Sequence, residues 1–137
     1  MMKGLRLYKK EKLRGEIAIG ALFPRPGSPE ADAVGKAIAF PVRAVWRLNG
    51  RSSSDCPRFL VMVPKRRLRH AVDRVRMRRL IREAYRLNRD LIPRDAKLDV
   101  AFVYVDSSLR PYAEIEASMR RLLKKISENV AARETAD

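Results

Sequence analysis

Residues 65–89 carry the densest charge in the chain and constrain its fold more than any other segment; they read KRRLRHAVDRVRMRRLIREAYRLNR. The acidic side chains of this segment are Asp73 and Glu83, and the basic ones are Lys65, Arg66, Arg67, Arg69, Arg74, Arg76, Arg78, Arg79, Arg82, Arg86 and Arg89. Between the charges, apolar residues recur at the spacing of an amphipathic helix. A folded protein must therefore bury one face of this segment and leave a strongly positive face at its surface.

The apolar side chains of this helix fall within one arc of about 120°, which we predict to be its core face: Met77, Leu80, Ile81, Ala84, Leu87 and Leu91. The opposite side is predicted to hold Arg74, Arg78, Arg82 and Arg89, then Arg79 and Arg86, with Arg76 on the flank. Arginines spaced i, i+4 repel each other by about 0.2–0.5 kcal/mol per pair. A helix that needs only solubility normally mixes signs, so contacts between guanidinium groups and phosphates are favoured over a merely solvated face.

The loop that precedes this helix predicts a second part of the same positive surface. A strand ends near Val63, and the cationic loop side chains that follow are Lys65, Arg66, Arg67 and Arg69. Backbone amides at a helix start, together with the positive end of the helix dipole, favour an anion at this position. The side chain of His70 has two possible roles: it either forms a hydrogen bond to the bound polyanion or supports the start of the helix.

The chain as a whole is also basic. Its 137 residues carry 31 Lys and Arg against 16 Asp and Glu, which gives a formal charge of +15 and an isoelectric point near 10.9. A polyanionic partner relieves the self-repulsion of such a charge, and RNA is the polyanion that we expect. The length fits a single domain over residues 1–137, with residues 1–8 and 133–137 as flexible ends.

Other partners and metals fit the sequence less well. A membrane is disfavoured because the chain has no run of about 18 apolar residues, no signal peptide and no Trp or Phe on the apolar arc. DNA is not expected, since Asn88 is the one amide on the basic helix suited to reading bases. Cys56 and His70 are the single cysteine and histidine, so no zinc set exists. We therefore expect a cytoplasmic protein with no metal-binding motif of its own.

Helix and strand signals alternate along the rest of the chain. A short helix is predicted over residues 11–23, where Pro24 ends the pattern, and a surface loop over 25–36. Strands are predicted over 37–48, 58–63 and 98–105, and a closing helix over 111–132. The second strand is expected to return beside the first after a turn near Asn49-Gly50, and the almost wholly apolar third strand is expected to be central. Trp46 and Tyr104 are expected in the core.

Residues 60–89 resemble the bacterial ribonuclease P protein component. The family hallmark is roughly Val-Ser/Ala-Lys-Lys, then Ala-Val, then Arg-Asn-Arg-Ile-Lys-Arg-Leu-Ile-Arg-Glu-aromatic, and this chain has VPKRRLRHAVDRVRMRRLIREAY. The residues that match in type and spacing are Lys65, Arg66, Ala71, Arg74, Arg76, Arg78, Arg79, Leu80, Ile81, Arg82, Glu83 and Tyr85. The main departure is Val75, which stands at the asparagine position of the Arg-Asn-Arg motif.

The resemblance implies an α+β fold, a two-layer α-β sandwich resembling a ribosomal-protein domain, with a small mixed sheet and the basic helix in a βαβ crossover. It implies that an RNA subunit with bound magnesium removes the 5′ leader of precursor tRNA, while the protein binds the RNA subunit and the leader. The contacts to the RNA subunit that it implies are Lys65, Arg66, Arg67, Arg69, His70, Arg74, Arg76, Arg78, Arg79 and Arg82. The leader contacts that it implies are Ile19, Phe23 and Phe40, each of which fits a core position equally well.

The side-chain chemistry agrees with a protein that is not the catalyst. The sequence contains no carboxylate pair, His/Asp set or Ser/His arrangement suited to phosphodiester hydrolysis. Asp95 and Asp99 flank a strand, where capping is favoured over metal binding. The alternative function is a structural ribosomal or other RNA-binding protein without a role in cleavage, and the order of the motif favours ribonuclease P.

Overall fold

The structure is a computed structural model that describes residues 11–13, 19–48, 57–93 and 97–136. Its strands and helices, in chain order, are β1 (Gly35–Ala39), β2 (Val42–Leu48), β3 (Arg58–Met62), α1 (Ala71–Asn88), β4 (Leu98–Tyr104) and α2 (Tyr112–Ala136). Short 3-10 turns occupy Pro29–Ala33 and Arg89–Leu91. Within the described residues, neither helix is long and apolar enough to cross a membrane.

The strands form one mixed sheet in the order β1-β2-β4-β3. β2 runs antiparallel to both β1 and β4, whereas β3 runs parallel to β4. Helix α1 joins β3 to its parallel neighbour β4, which is the βαβ crossover expected from the resemblance. All residues of β4 are buried, which confirms the prediction of a central strand. The α+β prediction is confirmed.

Two predictions about the strands were wrong. The predicted strand 37–48 is a hairpin, β1 and β2, whose turn lies at Phe40-Pro41, because a proline in mid-strand cannot donate to the ladder. β3 also does not lie beside β2, since β4 stands between them. β4 is the most apolar strand, and the central position buries it on both faces. The expected turn at Asn49-Gly50 lies outside the described residues.

The described residues test the predicted N-terminal helix at its two ends, since Lys12 and Leu13 are not helical whereas Ile19 and Gly20 are. The N–H of Leu13 donates to the carbonyl of Phe59 at 2.9 Å. The backbones of Lys12 and Phe59 also form an isolated parallel β-bridge. This part of the chain is therefore extended along the free edge of β3. Residues 14–18 lie outside the described part. Ile19 and Gly20 are helical, and a turn follows them before Pro24.

The sheet separates two apolar clusters. The larger one fills the space between the sheet and both helices, and it contains Trp46 and Tyr104 as expected. In this cluster the rings of Phe59 and Tyr85 stack with their centroids 4.2 Å apart. The smaller cluster lies on the other face of the sheet and consists of Leu13, Leu22, Val34, Val45 and Ala101, with Ile19 and Leu60 packed against it. The expectation that residues 1–8 and 133–137 are flexible ends stays a prediction.

Candidate nucleic-acid interface

The loop between β3 and α1 is a tight turn held by its own backbone. The carbonyl of Pro64 accepts hydrogen bonds from the N–H groups of Arg67 at 3.0 Å and Leu68 at 3.3 Å. The side chain of Leu68 is 5% exposed and anchors the turn in the core. This anchor leaves Lys65 and Arg66 exposed at the tip. The cations of the loop are therefore presented by a shaped segment of backbone.

Arg74 fastens this turn to the first part of α1. Its Nη1 donates to the carbonyl oxygens of Leu68 and Arg69, each at 2.9 Å. The prediction that placed Arg74 on the exposed side of the helix was wrong. Arg74 precedes Met77 by three residues and Ile81 by seven, so the helical period places it on the side of α1 that faces the core. Its charge therefore serves the shape of the loop.

The exposed face of α1 carries the cations that remain available to a ligand. Arg76, Arg79 and Arg82 are exposed, Arg78 is half-buried, and none of them contacts a carboxylate within the part of the chain that the structure describes. We call the loop and this face together the basic surface, which consists of Lys65, Arg66, Arg67, Arg69, His70, Arg76, Arg78, Arg79 and Arg82. Guanidinium groups on a rigid helix lose little freedom when each donates two hydrogen bonds to a phosphate.

The basic surface ends at Arg82, earlier than the sequence suggests. Arg86 donates to Glu83 through Nε at 3.2 Å and through Nη2 as well. That hydrogen bond holds the pKa of Glu83 below its ordinary value and raises the pKa of Arg86. Arg89, predicted to lie on the same face, is instead buried against Glu11. The last turn of α1 therefore adds little net positive charge to the surface.

The core face of α1 is rotated slightly from its predicted position. Met77, Ile81 and Ala84 are fully buried as expected, but Leu87 is 39% exposed. Tyr85, which lies beyond the opposite border of the predicted arc, is 1% exposed, and its ring stacks on Phe59. Because apolar residues alone defined the predicted arc, a tyrosine that supplies a large buried ring was left out of it.

Val75 and Val72 interrupt the basic surface with apolar side chains. They are 39% and 76% exposed, respectively. Val75 is thus outside the core, and it stands among cations where the family motif has an amide. His70 is exposed at the N-terminal cap position, and its carbonyl accepts from the N–H groups of Asp73 and Arg74 at 3.1 and 3.2 Å. Its side chain makes no capping hydrogen bond, so the helix start is supported by the backbone.

The predicted leader contacts lie at two different places. Ile19 packs against the smaller apolar cluster, and Phe23 is 40% exposed beside it in sequence. Phe40 is 56% exposed at the tip of the β1–β2 hairpin. The guanidinium of Arg110 lies 5.1 Å from the centroid of the Phe40 ring, which fixes the ring in place by a cation–π contact.

A cavity that the sequence did not indicate lies next to Ile19. Its volume is about 340 Å³, and it is lined by Gly20, Ala21, Pro24, Arg25, Ser28, Ala33 and Arg47. Arg47 lies opposite Asp99 in the sheet register, but Arg58 already donates to both oxygens of that carboxylate, at 3.0 and 3.1 Å. The Nε of Arg47 is buried without a hydrogen-bond partner among the described residues. An apolar cavity with a guanidinium edge suits one unpaired nucleotide.

The described residues contain no group of three or more His, Cys, Asp or Glu placed to hold a metal ion. Asp99, one of the two carboxylates considered from the sequence, is 3% exposed and engaged by Arg58. The other, Asp95, lies outside the described residues. Within the described residues, the carboxylates considered from the sequence therefore provide no cluster of metal ligands.

Comparison with known proteins identifies the family. A family model described as Ribonuclease P matches residues 35–127. The chain is 38% identical over 135 residues to the ribonuclease P protein component of Porphyromonas gingivalis, covering 95% of this chain and 88% of that protein. It is 30% identical over 120 residues to the ribonuclease P protein component of Clostridium novyi, covering 87% and 96% of the two chains. The chain belongs to the ribonuclease P protein family.

Solved structures share the fold. The ribonuclease P protein of Staphylococcus aureus superposes with a TM-score of 0.66 at 15% identity, covering 85% of this chain and 94% of that one. The protein from Thermotoga maritima gives a TM-score of 0.65 at 19% identity, with 84% and 96% covered. The chain is therefore a ribonuclease P protein subunit by sequence, and it has the fold of that family.

Proposed function

We propose that the protein binds the RNA subunit of ribonuclease P through its basic surface and assists the RNA-catalysed removal of the 5′ leader from precursor tRNA. The observation that carries this proposal is the set of arginines Arg76, Arg79 and Arg82, which stand exposed on one rigid helix and contact no carboxylate among the described residues. A phosphate backbone would neutralise these arginines and so offset the repulsion between their like charges.

The shape of the basic surface supports a structured RNA partner. The loop cations and the α1 cations are held at fixed positions relative to each other, because Arg74 bonds the loop carbonyls to the helix. A fixed array of donors matches one arrangement of phosphates better than others, which favours a folded RNA over a flexible strand. Apolar Val75 contributes no hydrogen bond within that array.

The leader is proposed to cross the face of the sheet that carries the smaller apolar cluster and to reach the tip of the β1–β2 hairpin. Ile19 and Phe23 offer apolar surface for unpaired bases, Phe40 offers an exposed ring at the hairpin tip, and Arg47 offers a guanidinium at the neighbouring cavity. Bases of any identity stack on aromatic surfaces, so such contacts hold a leader with little sequence preference. These contacts lie on the turn of the β1–β2 hairpin, on β2 and on the N-terminal segment, so they leave the basic surface available to the RNA subunit.

Catalysis is assigned to the RNA subunit, and magnesium is proposed to be bound mainly by that RNA. The protein then contributes affinity and positioning, in keeping with a cytoplasmic ribonucleoprotein that acts on precursor tRNA. Protein cations that neutralise phosphates reduce the electrostatic cost of bringing two RNAs together. We therefore expect the protein to have its largest effect on cleavage where magnesium is scarce.

Reconstitution tests the proposal. The protein is mixed with a ribonuclease P RNA and precursor tRNA, and leader release is followed across a magnesium titration. We expect faster cleavage at low magnesium with the protein and none with the protein alone. The Arg79→Gln/Arg82→Gln variant should lose most of the stimulation, whereas Lys12→Gln/Lys97→Gln, which removes two exposed cations elsewhere, should keep it. RNA binding without any effect on cleavage would instead support the structural RNA-binding alternative.

A further inference from the structure

The cavity beside β2 has walls made of two hydrogen-bonded turns. In the first turn, the N–H of Leu22 donates to the carbonyl of Ile19 at 3.1 Å, and Leu22 is 1% exposed. In the second, the N–H and the hydroxyl of Ser28 both donate to the carbonyl of Arg25, at 3.1 and 2.7 Å. We call the space between these turns and Arg47 the Arg47 cavity. Its walls are preformed, so a ligand that enters it has little backbone to order.

Arg47 brings a buried hydrogen-bond donor to this cavity. Its Nε is buried, and no acceptor for it exists within the described parts of the chain. Asp99 is its register partner in the sheet, and both carboxylate oxygens of Asp99 accept hydrogen bonds from Arg58. A buried N–H without an acceptor costs free energy, which a ligand oxygen at that position would recover. The Arg47 cavity therefore favours a ligand that carries acceptor atoms.

The charge of the cavity favours a terminal phosphate over an internal one. Arg25 is exposed and lines the same cavity as Arg47, and the described lining residues include no carboxylate. An internal phosphodiester carries one negative charge, whereas a terminal phosphomonoester carries about 1.5 to 2 at pH 7. Two guanidinium groups at one cavity therefore balance a phosphomonoester better than a phosphodiester.

The remaining walls fit the body of one nucleotide. The volume of about 340 Å³ lies near the lower end of the range of roughly 300–1,000 Å³ for small-ligand sites. Ala21, Pro24 and Ala33 present apolar surface, and the hydroxyl of Ser28 is engaged in its own turn. Apolar walls can pack against the flat face of any base. We therefore expect one nucleotide to fit, with little base preference.

We infer that the Arg47 cavity binds the terminal phosphate of a nucleotide, with the phosphate at Arg25 and Arg47 and the base against the apolar walls. That the phosphate is carried by a nucleotide rests on the proposed function. The same chemistry has two sources, which are the phosphorylated 5′ end of a leader and a free nucleoside 5′-monophosphate. A bound leader end would fix where the leader starts on the protein, and a free nucleotide would compete with it for the cavity.

Binding measurements on the full-length protein test this inference. One arm compares a short RNA that has a 5′-phosphate with the same RNA that has a 5′-hydroxyl, and the other compares adenosine 5′-monophosphate with adenosine. We expect the phosphate to tighten binding about tenfold in at least one arm. An effect in the RNA arm assigns the cavity to leader ends, and an effect confined to the other arm assigns it to free nucleotides.

Charge variants locate the effect. Arg25→Gln/Arg47→Gln should abolish the advantage of the phosphate, and it removes no hydrogen bond from either side chain to another described residue. The matched variant Lys12→Gln/Lys97→Gln removes two exposed cations elsewhere and should keep the advantage. Equal loss in both variants would mean that total charge and not the cavity determines binding, which overturns the inference.

A second variant fills the cavity and keeps every arginine. Gly20 lines the cavity, and a Cβ added there meets no atom within 4 Å, so Gly20→Leu places a side chain in the space without a clash at Cβ. Leucine favours a helix over glycine, so this variant should melt no lower than the wild type. Gly20→Leu should lose the advantage of the phosphate. An advantage that survives this change, or its absence from both arms with the wild type, overturns the inference.

The reconstitution assay separates this inference from the proposed function. A wild-type protein that stimulates cleavage but shows no phosphate advantage overturns the inference alone. A phosphate advantage that is sensitive to Gly20→Leu, on a protein that leaves cleavage unchanged, contradicts the proposed function and supports a nucleotide site in the Arg47 cavity.

Discussion

Arg89 and Glu11, which are 78 residues apart, form a buried ion pair in which Nη1 of Arg89 lies 2.7 Å from both carboxylate oxygens. Their side chains are 5% and 8% exposed. The pair joins the residue that follows α1 to the segment beside β3. An arginine from the basic stretch thus serves the fold and is withdrawn from the basic surface.

Breaking this ion pair should cost more stability than any exposed charge change. Glu11→Gln removes the buried counter-charge of Arg89, and we expect the free energy of unfolding to fall by about 3–5 kcal/mol in urea denaturation. The double variant Glu11→Leu/Arg89→Met, which removes both charges, should recover a large part of that loss. Equal stability of Glu11→Gln and the wild type would contradict a buried ion pair.

Substitutions of Arg74 and of Arg79 should have different effects on stability and on RNA binding. Arg79→Gln removes a proposed phosphate contact, so the logarithmic salt slope of RNA binding should fall by about 0.7–0.9 at unchanged thermal stability. Arg74→Gln loses two hydrogen bonds to loop carbonyls, so stability should fall by about 1–3 kcal/mol while the salt slope stays near that of the wild type. Binding titrations at several salt concentrations, with parallel melting curves, distinguish the two. Identical behaviour of the variants would refute the bracing role of Arg74.

Val75 offers a gain-of-function test. Val75→Asn restores the amide of the family motif at an exposed site, so binding to the RNA subunit should tighten. Asparagine and valine have similar helix propensities, and stability should stay within about 0.5 kcal/mol of the wild type. Affinity is measured by filter binding and stability by thermal melting. A marked loss of stability would mean that Val75 packs in the core.

Glu83 is predicted to limit the extent of the basic surface. Glu83→Gln frees Arg86 for phosphate, so RNA affinity should rise at neutral pH and the salt slope should increase by up to about 0.9. The pKa of Glu83 is lowered by its hydrogen bond from Arg86, so the wild-type carboxylate keeps its charge to a lower pH than an ordinary glutamate does. The advantage of the variant should therefore persist at mildly acidic pH and shrink only where Glu83 itself becomes protonated. A pH-independent advantage would point to another cause.

The core face of α1 can be tested by paired truncations. Ile81 is fully buried, and Ile81→Ala should lower the free energy of unfolding by about 2–5 kcal/mol. Leu80 is only partly buried, so Leu80→Ala should cost less, about 1–2 kcal/mol. Chemical denaturation measures both. A larger cost at Leu80 would require a different rotation of the helix.

The sequence predicted the parts of the fold that depend on local patterns. The central apolar strand, the closing helix and the buried positions Met77, Ile81 and Ala84 follow from hydrophobic runs and from the helical period. The hairpin at Phe40-Pro41 and the pairing of β3 with β4 were missed, because strand order depends on which strand gains most from burial on both faces. Local patterns carry no information on that competition.

For the candidate site, the sequence determined the identity and density of the cations, since charge and helical spacing are properties of the chain itself. Only the tertiary structure decided which of them face solvent. It turned Arg74 toward the loop and Arg89 toward Glu11, and it left the buried Nε of Arg47 without a hydrogen-bond partner among the described residues. An arginine's role depends on the nearest acceptor in space, and that acceptor is set by packing between segments that are distant in the sequence.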